Sequence, residues 1–273
     1  MKIIKELPLS SLRVRSTKSK NQFEENLLDT SIGTDSKNIC IYPYLKIYRL
    51  LMLSVFSLLT LVASAQKSTV LDVFSKNGID ADILTVDVKQ PEGYAYEFKQ
   101  TVVTADKSTI TLASYDPSKP EAERWIVNSV DGKSPSKSAV KSFIKNRKEQ
   151  SEKPQPDDAS YKVEKENTDQ LVISFKLDPN TVTKDASFLK DCRTYLTINL
   201  KNKQLEYSEV LNEKPVKVKI LNVDKLNKTT KYNWDDKAKQ YFTVSDELNM
   251  FAKFVGQEVK VQTLSEYSNF IAR

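Results

Sequence analysis

The chain has 273 residues, with 42 lysines and arginines against 36 aspartates and glutamates, a net charge of +6 and no histidine. Without histidine there is no Ser-His-Asp or Cys-His nucleophile pair, no His-ligated zinc and no imidazole base working near neutral pH. The five glycines are scattered, which excludes a phosphate-cradling loop or a dinucleotide fingerprint.

Residues 1–44 are rich in Ser, Thr, Asn and Lys and carry no sustained apolar period. They are expected to be disordered or to lie outside the natively translated protein, with a start at Leu45. Residues 45–65 read as a signal peptide. Lys46 and Arg49 precede an uncharged apolar run, Leu50 to Ala65, that closes on Ala63-x-Ala65. This run is shorter than the roughly 20 residues a membrane-spanning helix needs. Cleavage is expected between Ala65 and Gln66, giving a periplasmic product; the alternative is a cytoplasmic extension before a single anchor. Nine basic and five acidic residues precede Gln66, so the remainder carries a net charge of only +2. That balance offers no basic stripe for nucleic acid. Cys40 lies before the cleavage point and leaves Cys192 without an intrachain partner. No cysteine follows the apolar run to accept a lipid.

The mature part opens with a short helix around Val70, Leu71, Val73 and Phe74, ending near Gly78. Period-two alternation then takes over. Tyr94, Tyr96, Phe98 and Val102 share one face of a strand whose other face carries Glu97, Lys99 and Thr101. Ala105-Asp106-Lys107 turns into a strand through Ile110 and Leu112, and a third carries Trp125 and Val127. An amphipathic helix follows, capped by Ser136 or Ser138, with Ala139, Val140, Phe143, Ile144 and Arg147 at helical spacing. Ser151 to Ala159, with Pro154 and Pro156, ends it as a mobile loop or an interdomain linker. Further strands run through Leu171–Leu177 and Leu196–Leu200, then through an Asn202-Lys203 hairpin to Leu205–Leu211. Val216–Ile220, Tyr241–Val244 and Val259–Leu264 complete the series.

Nine or ten mostly one-sided strands must close on themselves or cover their apolar face. The pattern predicts a mainly β (α+β) fold. Residues 66–273 form a single domain, a strongly curved antiparallel sheet or unclosed β-barrel with one or two helices on its concave side.

The densest motif runs from Ser114 to Pro135. Asp116-Pro117 and Lys119-Pro120 stiffen a loop, Arg124 and Trp125 are placed on opposite faces of one strand, and Asp131-Gly132 is a turn pair. The pattern Tyr-Asp-Pro-Ser-x-Pro-x-x-Glu-Arg-Trp, followed by Val-Asp-Gly-x-x-Pro and a basic helix, resembles a group of uncharacterised bacterial periplasmic proteins. Their architecture is similar to that of the lipoprotein carriers of the LolA and LolB type. The resemblance covers most of the mature chain in layout and residues 114 to 147 in motif. It implies an unclosed antiparallel barrel, a helical lid and an apolar cavity for acyl chains. The chain departs from the carriers in its higher charge and in the Pro-rich 151–159 loop.

Tyr94, Tyr96, Phe98, Trp125, Phe143 and Phe175 are therefore candidates to line an apolar pocket beneath a movable helix; the same side chains equally suit a filled sheet core. Asp116, Glu121, Glu123 and Asp131 cluster in sequence around the Pro-stiffened loop and are read as turn formers and surface charge rather than an acid–base pair. Expected function is non-catalytic binding or carriage of a lipid, acyl chain or lipidated partner. The alternative is an envelope interaction module with a filled core. A monomer is expected, with no cofactor, no metal and no nucleic acid. An inner- or outer-membrane protein is the expected macromolecular partner.

Overall fold

The structure, a computed structural model, describes residues 66–85, 90, 93–104, 107–147 and 154–273. The expected signal peptide, its cleavage point and residues 1–44 lie outside the described residues, as do Ala105-Asp106 and positions 151–153 of the Pro-rich loop. All described residues belong to one compact unit, Leu61–Arg273.

Residues 66–77 form helix α1. It ends where Gly78 turns left-handed at φ 64°. There Ile79 N–H donates to Phe74 O at 2.9 Å and Gly78 N–H to Ser75 O at 3.1 Å, satisfying carbonyls the helix leaves open. Strands β1 (Tyr94–Thr104), β2 (Lys107–Tyr115) and β3 (Trp125–Val130) follow. Helix α2 (Lys137–Asn146) takes Ser136 as its N-cap, the hydroxyl accepting from Ala139 N–H at 3.2 Å. The remaining strands are β4 (Lys162–Glu166), β5 (Gln170–Phe175), β6 (Cys192–Asn199), β7 (Gln204–Asn212), β8 (Val216–Val218), β9 (Leu221–Asp235), β10 (Gln240–Phe254) and β11 (Gln257–Ala272).

All pairings are antiparallel. They form one sheet in the order β3-β2-β1-β11-β10-β9-β7-β6-β5-β4, with β8 attached to β9. The fold is thus mainly β and unclosed, as the alternation predicts. β3 and β4, consecutive in the chain, stand at opposite ends of this path. An up-and-down barrel has been opened at the β3/β4 seam, and α2 lies in the stretch of chain that connects the two edges.

A single cross-strand row shows how the inner face is composed. Val163, Ile173, Leu196, Ser208, Thr230, Asp246, Ser265, Gln100, Thr111 and Val130 are successive register partners from β4 to β3. The row is aliphatic at the β4–β6 end and polar through the middle. Over the aliphatic end lies α1, whose Val70 and Phe74 are buried among Leu171, Ile173, Leu196, Ile198 and Leu205. Each such side chain contributes about 1.5–3 kcal/mol by leaving water.

Four features differ from the sequence reading. Tyr241–Val244 and Val259–Leu264 are fragments of 15- and 16-residue strands, and Leu221–Asp235 is a strand the alternation does not reveal. Arg124 does not share a strand with Trp125. It closes the 3-10 turn Glu121–Glu123, its Nε donating to Lys119 O at 3.2 Å, because the preceding prolines hold that loop off the sheet. The described part of the 151–159 segment is pinned rather than mobile: Asp157 N–H donates to Lys176 O, Asp178 N–H to Gln155 O, and Pro156 bridges Leu177. Buried Arg193 fastens the same corner, donating to Glu213, to Ser160 O and to Ser174 Oγ. Glu213 also pairs with Lys176, whose hydrogen bond holds its carboxyl below the usual range.

Candidate functional site

At the β1–β3 end of the inner face the side chains are aromatic. Tyr96 on β1, Tyr115 on β2 and Trp125 on β3 are register partners. The rings of Tyr96 and Tyr115 stack at 5.0 Å, and Trp125 meets them at 5.7 and 5.1 Å. One step along, Phe98 pairs with Tyr267 of β11, ring to ring at 5.2 Å. The wall continues through Phe270 to Phe242 and Tyr94. β1 and β11 reach this arrangement through a bulge between Ala95 and Glu97, opposite Asn269 at φ 55°. An extra residue there re-aims the last side chains of β11.

Helix α2 lies against this wall. Phe143 touches Trp125 and Phe98 edge-on at 5.4 and 5.9 Å. One turn on, Arg147 caps the helix, its N–H donating to Ile144 O. Its guanidinium carbon sits 3.7 Å from the centroid of Phe98 and 4.6 Å from those of Trp125 and Phe143. The side chain also donates to the Tyr267 hydroxyl. A guanidinium held among three ring faces gains about 0.5–2 kcal/mol, more as water is excluded. Burial pulls the Arg147 pKa down, opposed by Tyr267, Tyr96 and Asp246, and burial raises Tyr267. Even lowered, an arginine remains charged.

Beside the aromatic wall runs the polar middle of the face. Thr230 Oγ1 donates to Asp246 Oδ1 at 2.9 Å, and Lys228 pairs with Asp246 at 3.4 Å. Gln100 donates to Ser265 Oγ at 3.2 Å, and the hydroxyls of Ser208 and Tyr232 lie 3.0 Å apart. The site therefore has two chemistries side by side: ring faces under α2, and a hydrogen-bonded strip of hydroxyls, amide and carboxylate.

Of the six residues proposed from sequence, Tyr94, Tyr96, Phe98, Trp125 and Phe143 come together in this one cluster. Phe175 does not. It lies on β5, separated from β1 by five intervening strands of the sheet, where it packs against Tyr161 at 5.1 Å in the core beneath α1. Alternation says which face a residue takes but not which strands adjoin. Tyr115, Tyr267, Phe270, Phe242 and Arg147 complete the site and were not among the candidates. Tyr267 and Phe270 were legible as a continuation of the last strand beyond Leu264.

The sequence-adjacent carboxylates do local work. Asp116 accepts from Ser118 N–H and Oγ, at 3.0 and 2.6 Å, which lowers its pKa. Asp131 stands at φ 50° in the Asp131-Gly132 turn and accepts from Ile110 N–H at 2.7 Å. Cys192 donates to Phe188 O, and burial pushes its thiol up to about 11, so it is a thiol rather than a thiolate at neutral pH.

Fold and site together define a class: an unclosed antiparallel β-barrel with an aromatic inner wall covered by a cation-latched helix. Among solved structures the chain is similar to a DUF1329 family protein from Desulfovibrio piger ATCC 29098, at 10% identity and a TM-score of 0.30, over 68% of this chain and 87% of that one. No family model and no curated protein matches it. The structural likeness is too distant to carry a functional argument.

Proposed function

We propose that the chain is a non-catalytic binding protein of the cell envelope that holds a lipid, an acyl chain or a lipidated partner between the aromatic wall and α2, in the manner of the lipoprotein carriers its 114–147 motif resembles. The observation that carries this reading is the way α2 is held. No side chain of α2 is fully buried, although Phe98 in the wall beneath it is only 2% exposed. The helix is fastened by Phe143 and by the Arg147 cage rather than by an aliphatic core.

Such a fastening is replaceable. A desolvated cation–π contact is worth about 2 kcal/mol, and roughly three methylenes at about 0.8 kcal/mol each offset it. An acyl chain can thus displace Phe143 and Arg147 from the rings, while the neighbouring polar strip with Asp246, Thr230 and Ser265 suits the polar end of an amphiphile. Native mass spectrometry of the protein recovered from its own cell envelope tests this. The expected result is a bound amphiphile, together with uptake of a fluorescent fatty acid. A clean apo mass with no uptake overturns the reading.

The close mutual packing of the rings favours a second reading, an interaction module whose core stays filled. Trp125→Ala separates the two. It destabilises the fold by about 3–5 kcal/mol in either case. It alters fatty-acid uptake in the still-folded protein only if the wall is a binding surface.

A further inference from the structure

At the end of the sheet away from the aromatic wall, two tight hairpins stand side by side. Lys253 of β10 pairs with Asn222 of β9, and Val218 of β8 pairs with Leu221. The Val255-Gly256 turn therefore lies next to the Lys219-Ile220 turn. Val255 adopts φ 50°. Two-residue hairpins place Asn, Asp or Gly at such a position, and a β-branched side chain there is strained against its own backbone. Val255 is also 85% exposed, its neighbour Ile220 51%, and Phe251 on the same hairpin 47%. Strain and aliphatic exposure coincide at one residue, and nothing within the described fold compensates for either.

The surrounding charge is one-sided. Residues 217–225 and 251–260 hold Lys217, Lys219, Lys225, Lys253 and Lys260 against Asp224 and Glu258, a net +3 in a chain whose portion from Gln66 onward carries only +2. Lys260 Nζ lies 5.5 Å from the centre of the Phe251 ring, so a cation and an aromatic ring sit one level back from the turn. From the outermost point inward, on the face that Phe251 occupies, the order is branched aliphatics, then an aromatic ring with lysines, then the polar residues Asn249, Gln262 and Glu247. A bilayer presents the complementary order: acyl chains, interfacial layer, anionic headgroups and water.

We infer that this hairpin end is a membrane-docking tip for an anionic lipid surface, inserting Val255 and Ile220 while Phe251, Lys253 and Lys260 remain at headgroup level. A protein partner fits these observations less well. A specific interface covers roughly 800 Å² on each side, and two turns with three exposed apolar side chains supply far less. Interfacial binding needs only a few inserted side chains plus charge. The inference is independent of any ligand held at the aromatic wall.

The experiment is co-sedimentation of the chain with phosphatidylglycerol–phosphatidylethanolamine vesicles and with phosphatidylcholine vesicles, for the wild type and for Val255→Asn. Residues 1–65 are common to both proteins, so the difference between them reports the tip. Asparagine suits the left-handed turn, so the variant is expected to melt at the same or a higher temperature. Its partitioning onto anionic vesicles should nevertheless fall about tenfold, the loss expected from one buried aliphatic side chain. Wild-type binding should weaken with added salt and be poor on phosphatidylcholine. Equal partitioning of the two proteins overturns the inference, and so does wild-type self-association that Val255→Asn abolishes, which would assign the tip to a second copy of the chain.

Discussion

The two helices lie on the same face of one sheet, yet they are held by different physics. α1 is seated by Val70 and Phe74, which are enclosed by Leu171, Ile173, Leu196, Ile198 and Leu205. It ends in a glycine-terminated cap that returns Ile79 to the same core. α2 buries nothing fully and is retained by Phe143 and by the Arg147 guanidinium among Phe98, Trp125 and Tyr267. Aliphatic enclosure has no alternative partner to offer those side chains, so α1 is a permanent part of the core. Ring faces are equally satisfied by a guanidinium, by another ring or by an acyl chain. On the function proposed above, α1 is structure and α2 is the element whose contacts are exchanged.

The largest expected effect is on the α1 side. Phe74→Ala should cost about 3–5 kcal/mol, read as a lower denaturant midpoint with the whole domain unfolding together. A loss well under 1 kcal/mol would erase the contrast between the helices. On the α2 side, Arg147→Ala should cost only about 1–2 kcal/mol globally, while amide exchange in residues 137–147 accelerates ahead of the sheet. Arg147→Lys should recover little of that protection, because a compact ammonium cannot lie flat among the rings as the planar guanidinium does. Full recovery by lysine would reduce the cage to simple charge.

The smallest effect is a pH dependence belonging to the α1 half. Burial pushes Tyr161, packed against Phe175, up to about 12. The folded state keeps the phenol protonated after the unfolded chain, near pH 10, has begun to lose its proton. Stability from this group is therefore complete below about pH 10 and declines as the pH rises from there toward 12. Denaturant midpoints measured across that range should fall, and Tyr161→Phe should flatten part of the decline. A midpoint that stays level for the wild type would remove Tyr161 from the buried core.

Tyr94–Thr104 and the second half of Cys192–Asn199 were legible because apolar side chains alternate with polar ones, and Ser136 was legible, alongside Ser138, as a cap from its place before Ala139, Val140 and Phe143. β9 was not. Its inner side chains run Leu226, Lys228, Thr230, Tyr232, so the strand shows no apolar period, and its burial comes from neighbours that share hydrogen bonds with it. Five of the six aromatic candidates adjoin in the fold because β1, β3 and α2 are close in sequence. Phe175 stands apart from them, because nothing local says that five strands separate β5 from β1.

Sequence by itself determined the local chemistry: no histidine, alternating strands, a serine-capped amphipathic helix, a single cysteine beyond residue 65 and a short apolar leader-like run. Those properties depend on residues within a turn or a strand of one another. Only the tertiary structure decided that the last strand pairs with the first, that the barrel opens between β3 and β4, and that Arg147 lies among Phe98, Trp125 and Tyr267. It also set a valine into a strained turn at the far end of the sheet. Each of these depends on register between distant strands, which a period of two leaves free.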